Sequence, residues 1–414
     1  MLSIMLLALM TLFTLVFMQE LIFLFWAFKL PTAHSMPCRT PEICVLIPCF
    51  NEEKVLEATV IAILQSRNVR LSRVICIDDG STDGTLALMH KLSEVYRDPL
   101  RIVAMANGGK AMALNKGLSE VNTPLFVCVD ADTLVFPETL SRLSRTLLST
   151  GAAAVAGHVV VGGGKHDSWI HNAQIGDYET AANIERRVLS TLRWLPVVPG
   201  AAGAFLTEAV RALGGFSNST MTEDTHLTMQ LLLAGHDVRH QSEAPAMTEV
   251  PNTIAHLYKQ RLRWATGEIQ VVIRTAKPAM SQRARMRCIW AYMAITHCLM
   301  PLFAFPAYIL FAGCLVAALF SSDVPNSLTI VGLLVILAGS LTSYLRQSYA
   351  RQSDARYWPE GSRMHRRHRW LGETLIMSSI AWLAAWAGLC RILFRRTRAW
   401  GKVPRRGDVN LPDS

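Results

Sequence analysis

The stretch Leu125-Phe126-Val127-Cys128-Val129-Asp130-Ala131-Asp132 decides the fold that the sequence predicts. Its apolar part follows Pro124 and is typical of a short strand buried on both faces. Asp130 and Asp132 share strand parity, so both carboxylates can project from the strand's carboxyl end, where open α/β sheets bind ligands. Two carboxylates there can share a divalent cation and, through it, a diphosphate. Two solvated aspartates in a turn are the alternative for so short a motif.

Strand and helix patterns alternate around this stretch. Residues 43–48, 74–79 and 101–105 are apolar runs that predict further buried strands, and helical periodicity separates them. Alternation at about 25–30 residues per unit is typical of a doubly wound, mainly parallel α/β sheet. We assign residues 42–252 to this domain, including a helix expected over 177–192.

Long apolar segments flank the domain on both sides. Residues 1–29 are long enough to cross a bilayer and end in the interface residues Trp26 and Lys29. A signal peptide is the alternative, but it would have a basic start, a shorter core and a small-residue cleavage site. Glu20 within this span should face another helix or the interface. Transmembrane helices are therefore expected at both ends of the chain, in the segments 1–29, 289–320, 327–345 and 370–393.

The basic residues leave the topology of the C-terminal part open. Lys29 and Arg39 favour a cytoplasmic location for the α/β domain. Seven arginines in 346–369, and seven Lys or Arg in the region 391–406, favour the same side. A single crossing by 370–393 would separate these two basic regions. Either this segment re-enters without crossing, or the positive-inside rule fails at one end.

Composition narrows the functional classes. The net charge of +10 comes largely from arginines that flank the predicted spans, which favours lipid contact over nucleic acid binding. The nine cysteines include no CxxC pair. Several of them lie inside apolar strands or helices, which favours buried thiols in a reducing compartment over disulfides or a zinc site.

Two further acidic motifs follow the pattern of the first. Asp78 and Asp79 end the second predicted strand, and Asp79 can accept hydrogen bonds from a base or a ribose at the same sheet edge. Thr222, Glu223 and Asp224 begin a predicted helix, where an acid could act as a general base. Each motif also has a simpler interpretation as a helix cap or turn.

A basic and aromatic element precedes the C-terminal spans. Residues 253–285 predict amphipathic interfacial helices that carry Gln260, Arg263 and Trp264. The indole offers a face to a sugar ring, and the guanidinium can bind phosphate. Anchoring of an interfacial helix is the alternative role for these side chains.

In this order, the motifs resemble those of the processive family 2 glycosyltransferases, which are inverting enzymes with a GT-A fold. The likeness covers roughly 42–275, and the flanking apolar segments match the family's membrane layout. The greatest likeness is to the bacterial poly-β-1,6-N-acetylglucosamine synthases, and it is carried by 175–179, 199–205 and 260–265. Chitooligosaccharide and hyaluronan synthases are close rivals.

The resemblance implies a role for each motif residue. Asp79 would bind the uridine of a UDP-sugar donor, Asp130 and Arg263 its diphosphate, and Asp132 a Mg²⁺ or Mn²⁺ ion. Asp224 would be the catalytic base. Glu223, Gln260 and Trp264 would bind the end of the growing polysaccharide acceptor.

The same resemblance implies a multi-pass protein of the inner (cytoplasmic) membrane with a cytoplasmic catalytic domain. Its expected partners are membrane lipid and a small membrane subunit, with no nucleic acid. Residues 394–414 are expected to form a basic tail.

Two other activities deserve comparison. A non-processive transferase that adds one sugar to a lipid or short acceptor is the nearest alternative, although relatives of that kind generally lack the Gln-x-x-Arg-Trp element. A dinucleotide-dependent oxidoreductase would carry G-x-G-x-x-G after the first strand, where this chain has Pro48-Cys49-Phe50-Asn51-Glu52.

Overall fold

The computed structural model describes residues 2–30, 41–162, 168–321, 324–354, 371–394, 405–407 and 409. Residues 31–40, residues 355–370 of the arginine-rich part and most of the basic tail expected over 394–414 lie outside the described residues.

A mixed eight-stranded sheet organises the α/β domain. Its strands are β1 (Glu42–Cys49), β2 (Arg70–Asp79), β3 (Leu100–Met105), β4 (Leu125–Val129), β5 (Thr133–Val135), β6 (Ala154–Val161), β7 (Ala202–Leu206) and β8 (Val238–Thr248). They lie in the order β3-β2-β1-β4-β7-β6-β8-β5. Strands β1 to β4 are mutually parallel, β7 runs antiparallel to β4 and β6, and β5 runs antiparallel to β8. The predicted mainly parallel α/β fold is confirmed.

Strand β4 lies at the centre of the sheet, and every residue in it is buried. Its alternate side chains enter different cores, with Phe126 on one face and Val127 on the other. Phe126 stacks on Phe205 of β7, with ring centroids 5.5 Å apart. Helices cover both faces of the sheet, which is why this strand is a continuous apolar run rather than an alternating one. These helices are α2 (Leu56–Leu64), α3 (Thr85–Tyr96), α4 (Lys110–Glu120), α5 (Thr139–Thr150), α6 (Trp169–Thr180), α7 (Arg187–Leu192), α8 (Thr207–Ala212) and α9 (Glu223–Leu233).

Two features of the domain were not evident from the pattern. Strand β8 buries polar residues such as Gln241, whose amide donates to the Thr146 hydroxyl at 2.7 Å. Hydrogen bonding satisfies these groups, so the strand lacks the apolar signature that sequence patterns rely on. The helix expected over 177–192 instead begins at Trp169 and contains a π-helical segment at Ala181–Arg186.

Long helices complete the chain: α1 (Leu2–Lys29), α10 (Ile254–Met280), α11 (Ala284–Met293), α12 (Met300–Leu319), α13 (Asn326–Asp354) and α14 (Leu371–Leu393), with a second π-helical segment at Ala294–Leu299. By length and composition, α1, α13 and the Ile376–Leu393 part of α14 could each cross a membrane. The segments Ala284–Phe303 and Phe305–Leu319 pass the same test together and are bent by 48°. Pro301 and Pro306 lie on either side of this bend, and proline is a common cause of a helix kink.

Helices α1, α12 and α13 pack against one another. Phe13 of α1 stacks on Phe311 of α12, with ring centroids 5.2 Å apart. Arg346 of α13 pairs with Glu20 of α1, and it also lies 3.0 Å from Glu185 in the first π-helical segment. Glu20 thus faces another helix, as its position in an apolar segment demands.

Helix α14 packs mainly along α10. It also contacts α12, where Trp386 Nε1 donates to the Leu302 carbonyl at 3.0 Å. Met377 and Ile380 share an apolar cluster with Leu257 near the start of α10. Further along, Gly388 lies against Thr266, where an added Cβ would be 3.0 Å from the Thr266 hydroxyl oxygen. Helix α14 therefore runs alongside α10, the helix that carries Gln260, Arg263 and Trp264.

Replacement of Phe126 by Ala should destabilise the α/β domain by about 3–5 kcal/mol, because it leaves a cavity in a strand that is buried at every position. The fall in the free energy of unfolding can be measured by chemical denaturation of the full chain in detergent. Val95→Ala, at a position with 66% exposure, should change it by less than about 0.5 kcal/mol. Equal effects of the two substitutions would contradict the assignment of β4 to the core.

Candidate active site

Asp130 and Asp132 lie in a tight turn immediately after β4. The Thr133 N–H donates to the Asp130 carbonyl at 3.0 Å. Between the two acids, the Ala131 carbonyl accepts from the Thr59 hydroxyl at 2.8 Å. Asp132 is only 6% exposed. The Thr59 hydroxyl of α2 thus stabilises the turn, and Asp132 is buried rather than solvated.

Lys110 links the strand end to the start of α9. Its Nζ lies 2.5 Å from Asp130 Oδ1 and 3.4 Å from Glu223 Oε1. Burial lowers the pKa of Lys110, but the surrounding carboxylates, Asp130 first, outweigh burial and raise it. Burial raises the pKa of Glu223, with Lys110 opposing that shift. The carboxylates thus favour the charged form of the ammonium, which pairs with two acids from distant parts of the chain.

Asp79 shapes the loop that presents Lys110. Its Oδ1 accepts from the Gly108 N–H at 2.8 Å, and its Oδ2 accepts from the Gly109 N–H at 2.9 Å. Gly109 has φ = +88°, a conformation that glycine adopts without strain, and α4 begins at the next residue. The carboxylate at the end of β2 thus fixes the first turn of α4.

Asp224 lies in the first turn of α9 and is partly exposed. Its Oδ2 accepts from the Gly200 N–H at 3.2 Å, and its Oδ1 accepts from the Thr225 N–H at 2.7 Å. These two bonds fix the orientation of the carboxylate at the N-terminus of α9. The arrangement holds Asp224 at the wall of a cavity.

Helix α10 contributes Gln260, Arg263 and Trp264 to the same cavity. They are spaced three and four residues apart, so they share one helix face. The buried Gln260 Oε1 has no hydrogen-bond partner among the described residues. Arg261 packs over the Trp264 ring at 4.6 Å and fixes the indole from behind.

The cavity has a volume of about 270 Å³ and brings together most of the predicted site residues. These are Asp130, Asp132, Glu223, Asp224, Gln260, Arg263 and Trp264. Asp79 lines a smaller adjoining cavity of about 60 Å³, which also reaches Asp130, Asp132 and Arg263. The larger cavity continues past Glu185 to Tyr292, near the end of α11, and to His297 in the second π-helical segment.

The two aspartates fit a hard divalent cation in their chemistry. The described residues contain no cluster of three or more His, Cys, Asp or Glu side chains able to hold a metal. Mg²⁺ is commonly bound by one or two carboxylates together with substrate phosphates and water. Asp130 and Asp132 could therefore supply the protein's share of such a site, and Asp132 is the more buried of the two carboxylates.

Sequence reasoning assigned no role to Lys110 or Arg405. The glycine pair before Lys110, at a helix start on the ligand-binding edge, was an available signal. The sequence around Arg405 carried no comparable signal. In the structure, Arg405 Nη2 lies 2.5 Å from Asp132 Oδ2. Burial lowers the pKa of Arg405, but Asp132 and neighbouring acids outweigh burial and raise it.

Parts of the chain resemble known glycosyltransferases. Residues 44–214 match Glycosyl transferase family 2. The chain is 28% identical over 233 residues to a poly-beta-1,6-N-acetyl-D-glucosamine synthase of Staphylococcus aureus (strain COL), with 56% of each chain covered. A synthase of the same name from Staphylococcus epidermidis is 26% identical over 242 residues, or 58% of each chain. The chain thus aligns with little more than half the length of these curated relatives.

A solved structure shares the fold. It is a mannosyltransferase from Pyrobaculum calidifontis in complex with GDP-Man and Mn²⁺. The TM-score is 0.60 at 23% sequence identity, covering 86% of this chain and 98% of that chain. The predicted GT-A architecture is therefore confirmed.

Replacement of Asp79 by Ala should destabilise the α/β domain by about 1–3 kcal/mol, because two backbone N–H groups lose their acceptor. Chemical denaturation in detergent, followed by tryptophan fluorescence, can measure the change. Glu120→Gln removes a partly exposed acid with a 3.9 Å ion pair to Arg73, and it should have little effect. Unchanged stability in Asp79→Ala would show that the carboxylate does not hold the loop.

Proposed function

We propose that the chain, whose residues 44–214 match Glycosyl transferase family 2, polymerises a sugar from a UDP-sugar into a β-linked polysaccharide at a membrane. One observation carries the proposal. A single cavity joins the acid pair after β4 to Asp224 and to the Gln260–Trp264 face of α10. Donor, base and acceptor groups thus surround one space.

The acid pair is the proposed donor end. Asp132 and Asp130 would hold Mg²⁺ or Mn²⁺, which neutralises charge on the leaving diphosphate when bound. Arg263 lines both cavities and supplies a guanidinium suited to phosphate. Asp79 lies in the adjoining cavity, where the uridine would bind. The hydrogen bonds that hold its oxygens leave lone pairs available to such a ligand.

Asp224 is the proposed general base. It would take the proton from the acceptor hydroxyl as that oxygen bonds to the anomeric carbon and the bond from that carbon to the diphosphate oxygen breaks. UDP leaves with the electron pair, and the single displacement inverts an α-linked donor to a β-linkage. The Gly200 N–H orients the Asp224 carboxylate at 3.2 Å. Positioning of this kind supplies much of a base's effect.

The acceptor end is proposed to lie along α10. The Trp264 ring offers an apolar face to a sugar, while Gln260 and Glu223 offer polar groups at the same wall. The free Gln260 Oε1 can accept from a sugar hydroxyl. N-acetylglucosamine is the proposed sugar, because the curated relatives are named as synthases of its β-1,6-linked polymer.

Helix packing supports a membrane arrangement with the catalytic domain and the tail on one side. Helix α12 would lead away from the domain and α13 would return to it, since Asp354 at the end of α13 lies 2.7 Å from His158 of β6. Helix α14 would lie in the interface beside α10. Arg405 contacts Asp132 after α14, so an even number of crossings separates the domain from the tail. In this arrangement the first alternative, a segment 370–393 that does not cross, resolves the conflict in the charge distribution.

Membranes containing the protein should incorporate label from UDP-N-acetylglucosamine into long polymer. Asp224→Asn should reduce the rate by about 10²–10⁴-fold, because proton removal from the acceptor is lost. The matched control is Glu208→Gln, an acid whose side chain is 87% exposed, and it should leave the rate unchanged. UDP-glucose and UDP-glucuronate should give little product. Equal polymer from wild type and Asp224→Asn would refute the mechanism, and products with only one added sugar would support the non-processive alternative.

Epitope tags test the membrane arrangement. A tag inserted after Ser321, between α12 and α13, should lie on the opposite side of the membrane from the catalytic domain, and a tag at the end of the chain should lie on the same side. Antibody access in sealed vesicles of known orientation reports both positions. A terminal tag opposite the catalytic domain would show that α14 crosses.

A further inference from the structure

A short part of the C-terminal region lies over the proposed donor site. We call residues 405–407 the Arg405 segment. Arg405 Nη2 lies 2.5 Å from Asp132 Oδ2, and Arg405 Nε lies 3.9 Å from Glu52 Oε2. Glu52 follows β1, whereas Asp132 follows β4. The guanidinium therefore bridges acids from two neighbouring strand ends.

The backbone of the Arg405 segment is anchored separately from the Arg405 side chain. The N–H groups of Arg406 and Gly407 donate to the Glu249 carboxylate at 2.7 and 3.2 Å. Glu249 follows β8 and is 5% exposed. Gly407 has φ = +74°, and an added Cβ would meet the Lys54 carbonyl oxygen. The segment can thus stay attached to the domain while the Arg405 side chain changes partner.

The position of the guanidinium conflicts with cation binding by Asp132. An oxygen that accepts a charged hydrogen bond at 2.5 Å cannot also offer that lone pair to a metal. Arg405 and Asp132 line both the larger cavity of about 270 Å³ and the adjoining one of about 60 Å³. The positive guanidinium also repels a cation at the remaining lone pairs of Asp132. Arg405 and a cation therefore compete for this carboxylate.

We propose that Arg405 is a donor-binding residue that exchanges the Asp132 carboxylate for the donor's diphosphate when a divalent cation binds. The inference rests on the proposed function and adds to it a residue from the C-terminal region. Without donor, the guanidinium neutralises Asp132. With donor, it binds phosphate oxygens, which a planar guanidinium can do through two parallel hydrogen bonds.

Distance makes the exchange feasible. A phosphate oxygen that shares a Mg²⁺ ion with Asp132 lies within a few ångströms of that carboxylate, because each metal–oxygen bond is about 2.0–2.1 Å long. A guanidinium that already touches Asp132 reaches such an oxygen by side-chain rotation. The anchor at Glu249 keeps it close throughout, which limits the entropy lost on binding.

The exchange predicts opposite changes in two affinities for Arg405→Ala. The purified full chain in detergent can be titrated first with Mn²⁺ alone, using electron paramagnetic resonance, and then with UDP at saturating Mn²⁺, using calorimetry. Mn²⁺ alone should bind about tenfold more tightly, because a competing charged hydrogen bond is gone. UDP should bind about tenfold more weakly, because the guanidinium no longer contacts its phosphates.

A matched control removes a nearby positive charge that does not contact Asp132. Lys54→Ala, at an exposed position beside Gly407, should leave both affinities near those of wild type. Arg405→Lys keeps the charge without the planar fork, so its UDP affinity should fall between those of wild type and Arg405→Ala.

Other outcomes would overturn the inference. Tighter binding of both Mn²⁺ and UDP in Arg405→Ala would make the residue a blocking group only, and unchanged affinities would deny it any role at the site. Weaker binding of both would indicate a structural role. Wild-type protein that binds no UDP with Mn²⁺ contradicts the proposed function and the inference together. Normal UDP binding by wild type with an unchanged variant overturns the inference alone.

Discussion

The contact of Lys110 with Asp130 and Glu223 is the constraint on which the site depends. It joins the end of β4 to the start of α9, two elements that are about ninety residues apart in the chain. Without a cation at this point, two acids would face one another across a largely buried space, at a cost of several kcal/mol. Asp79 contributes indirectly, because it fixes the loop from which Lys110 projects. The proposed donor site and the start of α9, which carries the proposed base Asp224, are therefore joined by one shared charge.

The other buried acids of the site also have partners that offset their negative charge. Arg405 neutralises Asp132, and the backbone of the next two residues binds Glu249. Each carboxylate that would meet a cation or diphosphate thus already has a positively charged or N–H partner. Ligand binding at such a site exchanges partners rather than creating charge in a buried space, which keeps desolvation costs low.

Much of the fold and the site could be predicted from the sequence because their signals are local. The buried strand before Asp130 and the helix start at Asp224 are short patterns with a direct physical meaning. Strand β8 was not predicted, because its buried polar residues form hydrogen bonds with partners far away in the chain, as Gln241 does with Thr146. The π-helical segment before Arg187 was likewise hidden inside a regular helical pattern.

The sequence by itself determined a parallel α/β core with acids at its ligand-binding edge, since burial and strand parity depend on neighbouring residues. For Asp130 and Asp132 it left open whether they were solvated turn residues or part of a site. Only the tertiary structure decided which cations those acids meet, because Lys110 and Arg405 arrive from positions that no spacing rule connects to them. The tertiary structure also decided that α14 packs along α10, because helix packing depends on surfaces that are complementary in three dimensions.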